Sequence, residues 1–248
     1  MKTSKNIMPS LLAADFSNLK EELDKLSKTD IEELHYDVMD GHFVDNISFG
    51  KSILSQIHDK YDFKYDVHLM VSNPIMHIEK YFELSKVNAV TWHHEAFNYK
   101  EQYNLINSLR GTNLKSNGKS KKGKKSKKDR AKNIEKPEEI KLGIAINPKT
   151  NPEQVYEFLP YIDIILVMSV QPGKGGQKFI DSSIKKIEKL NKARERLNPN
   201  VQIYVDGGIN DETSKLCFQA GADKVVAGSY IFKSKDYEKQ IGTLLNFK

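Results

Sequence analysis

The chain has 248 residues, 38% of them hydrophobic, which is enough to build one large domain or two small ones. No apolar run approaches the ~18 residues of a membrane span, the N-terminal stretch lacks a signal-peptide core, and a single cysteine, Cys217, rules out an internal disulfide. A reducing, cytoplasmic setting is expected. The net charge of +6 is local: between Lys115 and Lys136 ten Lys and one Arg stand against one Asp and one Glu, so the rest of the chain carries −3.

From the N-terminus, short β-rich runs alternate with longer helical patterns. Residues 6–12 form the first apolar run, and Ser17 reads as the N-cap of a helix carrying Leu19, Leu23 and Leu26. Residues 34–39 (LHYDVM) read as a strand with His35, Asp37 and Met39 on one face, ended by Asp40-Gly41. An imidazole and a carboxylate side by side suit a metal ion or proton transfer; an edge strand with a wet polar face explains the same pattern equally well. A helix over 50–60 follows, then a strand over 64–71 (KYDVHLMV). Pro74 opens the next helix, 88–93 (NAVTWH) is a fourth strand and 99–109 its helix.

Residues 112–136 then form a low-complexity Lys-rich insertion. With almost no apolar side chains it cannot offset the entropy of ordering, so it reads as disordered. It lacks the interleaved aromatics of a single-strand stacking platform, so nucleic acid is not an expected partner. The rival reading, a nucleic-acid-binding protein on a degenerate barrel, would rest on this run alone. Beyond it come strands at 141–146, 162–168, 201–205 and 224–227. The intervening helices are expected around 155–159 and over 180–197, 211–220 and 237–245.

Eight strand-then-helix units spell an α/β chain folded as a (β/α)8 TIM barrel, a single domain over 1–248, with the insertion between helix four and strand five. An open doubly wound sheet would carry a glycine fingerprint in its first turn, and none occurs there. Barrels hold their chemistry on the loops after the strands, so the insertion lies on the opposite face. Polar residues at the strand ends are Ser10, His35, Asp37, His68 and Asp206. Gly207-Gly208 and Gly228-Ser229 fall where barrels frequently bind phosphate, and the loop QPGKGGQ (Gly173, Lys174, Gly175, Gly176) is suited to approach or cover one. Two imidazoles and two carboxylates suit Zn2+ first, with Fe2+, Mn2+ or Co2+ open. Met39, Met70 and Met168 are core filler or an apolar wall against a reactive carbon. His42, His58, His77, His93 and His94 match no pattern and read as structural or surface residues. Such a set fits epimerisation next to a carbonyl, and spacing alone leaves an aldolase or isomerase open.

The series PSLLAADF, HYDVMDGHFVDN, DVHLMV, PGKGGQKF, VDGGI and AGS, in this order, resembles the ribulose-5-phosphate 3-epimerases. The resemblance implies a metal-dependent isomerase interconverting D-ribulose 5-phosphate and D-xylulose 5-phosphate in the non-oxidative pentose phosphate pathway. It implies that His35, Asp37, His68 and Asp206 bind one divalent metal ion, with Asp37 as proton acceptor and Asp206 as donor. Ser10 and His68 would contact substrate, residues 173–176, Gly207, Gly208, Gly228 and Ser229 would hold phosphate and lid, and the three methionines would lie near the sugar. A homo-oligomer is implied as well. Lys174 departs from the family's usual Phe, Gln171 from Asn and Asp45 from Pro. An epimerase for a six-carbon ketose phosphate shares nearly all these motifs. Decarboxylases of the same fold resemble the chain less, since Asp37-Val38-Met39-Asp40 lacks the lysine of their D-x-K-x-x-D strand.

Overall fold

Strands that are apolar on both faces must be covered on both, and here eight of them lie parallel in one ring. They are β1 (Ile7–Pro9), β2 (Glu33–Met39), β3 (Lys64–Met70), β4 (Val87–His93), β5 (Lys141–Ile146), β6 (Ile164–Met168), β7 (Gln202–Asp206) and β8 (Lys224–Ala227). The computed structural model describes residues 6–111 and 140–245. Neighbours run β1-β8-β7-β6-β5-β4-β3-β2, and a parallel bridge between Ser10 and His35 closes the ring. This is the expected TIM barrel.

The helices on the outside are α1 (Leu19–Leu26), α2 (Lys51–His58), α3 (Ile75–Phe82), α4 (Tyr99–Arg110), α5 (Ser182–Leu197), α6 (Asp211–Ala220), α7 (Ser229–Phe232) and α8 (Tyr237–Thr243). Side-chain alternation sorts the core into two layers. Leu34, Tyr36, Val67, Leu69, Val90 and Trp92 face the helices in the large outer cluster. Met8, Ala89, Ala145, Leu166, Met168, Tyr204 and Val226 fill the barrel interior. On β2 all seven residues are buried, so the edge-strand reading of His35 and Asp37 falls away.

Local expectations needed three adjustments. Ser17 does not cap α1: a 3₁₀ turn (Phe16–Asn18) intervenes, capped by Asp15, which accepts from the Ser17 backbone N–H at 2.9 Å and its hydroxyl at 2.6 Å. Between β5 and β6 the chain makes a 3₁₀ run (Pro152–Tyr161) with Pro160 inside it, whose missing N–H disfavours an α-helix there. The four-residue α7, directly after β8, lies in a stretch too short for helical periodicity to announce it.

The Lys-rich run lies outside the described residues. Its place is between α4 and β5, whose flanking residues Gly111 and Ile140 stand at the N-terminal side of β5, away from the strand ends that carry His35, Asp37 and Asp206. Among the described residues no helix is long and apolar enough to cross a membrane.

Candidate metal centre and active site

The register of β2 on β3 sets Asp66 opposite His35 and His68 opposite Asp37, all four pointing into the barrel. His35, Asp66 and His68 are fully buried and Asp37 is nearly so. Asp206 arrives from β7, whose register places it beside Met168. Ligand atoms of His35, Asp37, His68 and Asp206 all lie within 4.8 Å of one another. The sequence expectation that these four converge is met.

Distances test whether the set fits a cation. His35 Nε2 lies 3.2 Å from His68 Nδ1 and 3.2 Å from Asp37 Oδ1, and His68 Nδ1 lies 3.1 Å from Asp37 Oδ1. Asp206 Oδ2 is 3.9 Å from both nitrogens. Four donors ~2 Å from one centre in a tetrahedron stand ~3.3 Å apart, so three edges already match and Asp206 closes the set with a small movement. The outward-facing atoms are held too. His35 Nδ1 meets Asp66 Oδ2 at 2.8 Å, which leaves Nε2 as the ring nitrogen that faces the centre. Ser10 Oγ donates to Asp37 Oδ2 at 2.6 Å. Two nitrogens and two oxygens, with His35 and Asp37 steadied from behind, fit a first-row divalent ion.

Electrostatics divide the two carboxylates. For Asp37, burial opposes ionisation, but His35 above all outweighs it and holds the carboxyl far below the usual range. For Asp206, burial and the charge of Asp37 act together and push it up to about 7. Burial works against His35 as well, yet Asp37 and Asp66 raise it well above an ordinary imidazole, whereas burial and the charge of His35 lower His68. The two carboxylates of one site are thus pushed to opposite proton affinities.

Above this centre opens a cavity of about 340 Å³, at the small end of the ~300–1,000 Å³ range of ligand sites. Asp37, Asp206 and Ser10 line it, with Met39, Met70 and Met168 as apolar wall. Gly173, Lys174, Gly175 and Gly176, with Gly207, Gly208, Gly228 and Ser229, form the opposite rim. Gly208 is required there: its φ is +65°, and a Cβ would stand 2.5 Å from the Phe179 backbone nitrogen. The loop after β6 is stapled by Gln177 Nε2, which donates to the Gln171 and Lys174 carbonyls at 2.6 and 2.8 Å, and by Asn46 Nδ2, which donates to the Gly173 carbonyl at 2.7 Å. His68 lies behind Asp37 and does not line the cavity.

The sequence model of the ribulose-phosphate 3 epimerase family matches residues 6–118 and 124–232. The chain belongs to the ribulose-phosphate 3-epimerase family. A ribulose-phosphate 3-epimerase of Aquifex aeolicus is 36% identical over 95% of this chain and 93% of its own length. One from Bacillus subtilis is 32% identical over 98% of this chain and 99% of its own. Among solved structures, thiamine phosphate pyrophosphorylase from Pyrococcus furiosus (TM-score 0.57, 12% identity, 98% of this chain and 94% of that one) shares the fold. Orotidine 5'-phosphate decarboxylase from Pyrococcus horikoshii does so too (TM-score 0.58, 11% identity, 96% of each).

Two elements of this epimerase-family site escaped the sequence reading. Asp66 was legible in principle, since it stands two residues before His68 on the same strand face. His93, read as structural or surface, is fully buried with its Nε2 2.9 Å from His68 Nε2. Its Nδ1 lies 3.2 Å from Glu95 Oε2. Burial lowers His93 to about 4. Burial raises Glu95, but His93, Thr150 and the Asn147 N–H overcome it and leave the carboxyl at about 2.

Proposed function

We propose that this chain interconverts D-ribulose 5-phosphate and D-xylulose 5-phosphate by moving the C3 proton from one face of the carbon to the other. The observation that carries the reading is the pair Asp37 and Asp206, which line one cavity with opposite proton affinities. Asp37, held ionised, takes the C3 proton, and the electron pair moves to the C2 carbonyl to give an enediolate. Asp206, whose proton affinity is raised toward neutral pH, gives one to the opposite face of C3; the reverse direction exchanges the roles. His35, Asp37, His68 and Asp206 would hold a divalent ion, Zn2+ first, which when bound supplies Lewis-acid stabilisation of charge developing at the C2 oxygen.

The remaining roles follow from what lines the cavity. Ser10 keeps Asp37 turned toward the centre and stands within reach of the sugar. The methionine wall is apolar and disfavours water beside the reacting carbon. The backbone of Gly173, Gly175, Gly176, Gly207, Gly208, Gly228 and Ser229 takes the phosphate, and Lys174, the one cation among the lining residues, adds charge to it. His68 serves the ion rather than the sugar. A homo-oligomer is proposed too, supported by the exposed apolar side chains Ile47 and Met76.

The test is incubation with ribulose 5-phosphate in D₂O. Solvent deuterium should enter C3 as xylulose 5-phosphate appears, and metal-free dialysis should abolish the reaction. Turnover of allulose 6-phosphate with none of the pentose phosphate would overturn the substrate assignment.

A further inference from the structure

His93 is completely buried at the end of β4, and proton transfer at C3 makes no use of it. It links His68 to Glu95 through the 2.9 Å contact between the two Nε2 atoms and the 3.2 Å contact from Nδ1 to Glu95 Oε2. The other Glu95 oxygen is committed. Oε1 accepts from the Asn147 backbone N–H at 2.8 Å and from the Thr150 hydroxyl.

With Glu95 ionised, these contacts admit one consistent direction for each proton in the series. An ionised carboxylate only accepts, so His93 Nδ1 carries the proton that faces Glu95. A neutral imidazole has one N–H, so His93 Nε2 presents a lone pair to His68. Two imidazoles meeting nitrogen to nitrogen share one proton, so His68 Nε2 is the donor. His68 Nδ1 is then left with its lone pair, aimed at the point shared with His35 Nε2 and Asp37 Oδ1. The reverse tautomer would turn an N–H toward the cation and set a buried lone pair of His93 against Glu95.

We propose that Glu95, acting through His93, is a positioning residue of the metal centre that fixes the tautomer in which His68 Nδ1 can bind the ion. A metal-bound histidine ordinarily leans on a carboxylate directly, as His35 does on Asp66. For His68 the carboxylate is displaced by one imidazole, and Thr150 and the Asn147 N–H anchor its far end.

Glu95→Gln is the sharp test because it keeps the shape and reverses the relay. The site of Oε1 already receives two donors, so the amide oxygen takes it and the amide NH₂ faces His93 Nδ1. Each proton then turns around, and His68 presents an N–H to the ion. The Co2+ dissociation constant of the full chain, measured by competition with a chromophoric chelator, should rise ~10–100-fold in Glu95→Gln. Glu95→Ala, which offers His93 no donor, should lose less affinity. A merely structural Glu95 gives the opposite order, since Ala also removes the anchors on Asn147 and Thr150 that Gln retains. Independently, ¹⁵N spectra of the histidine-labelled, metal-free wild type should show His68 protonated on Nε2 and not on Nδ1.

Unchanged Co2+ affinity in Glu95→Gln, a larger loss in Glu95→Ala, or a wild-type His68 protonated on Nδ1 would each overturn the assignment. The inference rests on the metal centre proposed above. Failure of wild type to bind Co2+ would sink that reading, whereas binding indifferent to residue 95 would sink only this one.

Discussion

The Ser10 hydroxyl donates a 2.6 Å hydrogen bond to Asp37 Oδ2 across the seam where β1 and β2 close the barrel. The closing strand therefore also orients the Asp37 carboxylate. With Oδ2 occupied, Asp37 Oδ1 is the oxygen that meets His35 and His68. A hydrogen bond to a charged group is worth ~1.5–3 kcal/mol, so Ser10→Ala should lower kcat/KM about 10- to 100-fold. Steady-state kinetics on a variant shown to be folded by circular dichroism would check this, and a loss under about threefold would contradict it.

The two carboxylates should be separable by isotope exchange. Asp37→Asn and Asp206→Asn should each lower kcat/KM by at least ~10²-fold. Beyond that loss, a variant missing only Asp206 still has the base on the other face. In D₂O it should exchange the C3 hydrogen of one epimer while forming little of the other, as followed by proton NMR. Exchange into both epimers at equal rates would refute the assignment of one carboxylate to each face.

In the metal-free protein Asp206 should oppose folding at neutral pH. Its folded pKa, raised to about 7 by burial and then by Asp37, lies above the ~3.9 of an unfolded aspartate. The folded state therefore binds more protons between these values, and stability falls as pH rises through that window. Asp206→Asn removes the penalty. Under a strong chelator its melting temperature should exceed that of wild type by a few degrees at pH 8, with the gap shrinking as pH falls from 7 toward 4. A gap constant across that range would show that Asp206 is not the buried acid.

Period-two patterning in the sequence was enough to place His35 with Asp37 on one strand face, and the repeat of eight strand–helix units was enough to close the barrel. What patterning could not supply was contact between strands. Asp66 and His93 lie on strands whose alternation is plain, but their partners come from registers that no local window contains. The Ser17 cap failed for the opposite reason: a stronger acceptor, Asp15, captured the turn two residues earlier. Short range order was readable, then, wherever one periodicity dominated, and unreadable where side chains competed for the same backbone.

Lys174 offers the plainest separation of binding from chemistry. It is the one cationic side chain among the described residues lining the cavity, it is exposed, and it sits on a loop stapled by Gln177 rather than on the strands that carry His35, Asp37, His68 and Asp206. A charge so placed attracts a phosphate dianion in the ground state and the transition state alike, so its loss should raise KM and leave kcat nearly unchanged. Lys174→Phe should raise KM about two- to fivefold at low ionic strength. Because the screening length shrinks from ~10 Å at 0.1 M to ~3 Å at 1 M salt, the difference from wild type should fade as salt is added. Steady-state kinetics across ionic strength decide it: a KM ratio that stays flat, or a fall in kcat larger than the rise in KM, would show that Lys174 acts on closure of the loop and not on the phosphate.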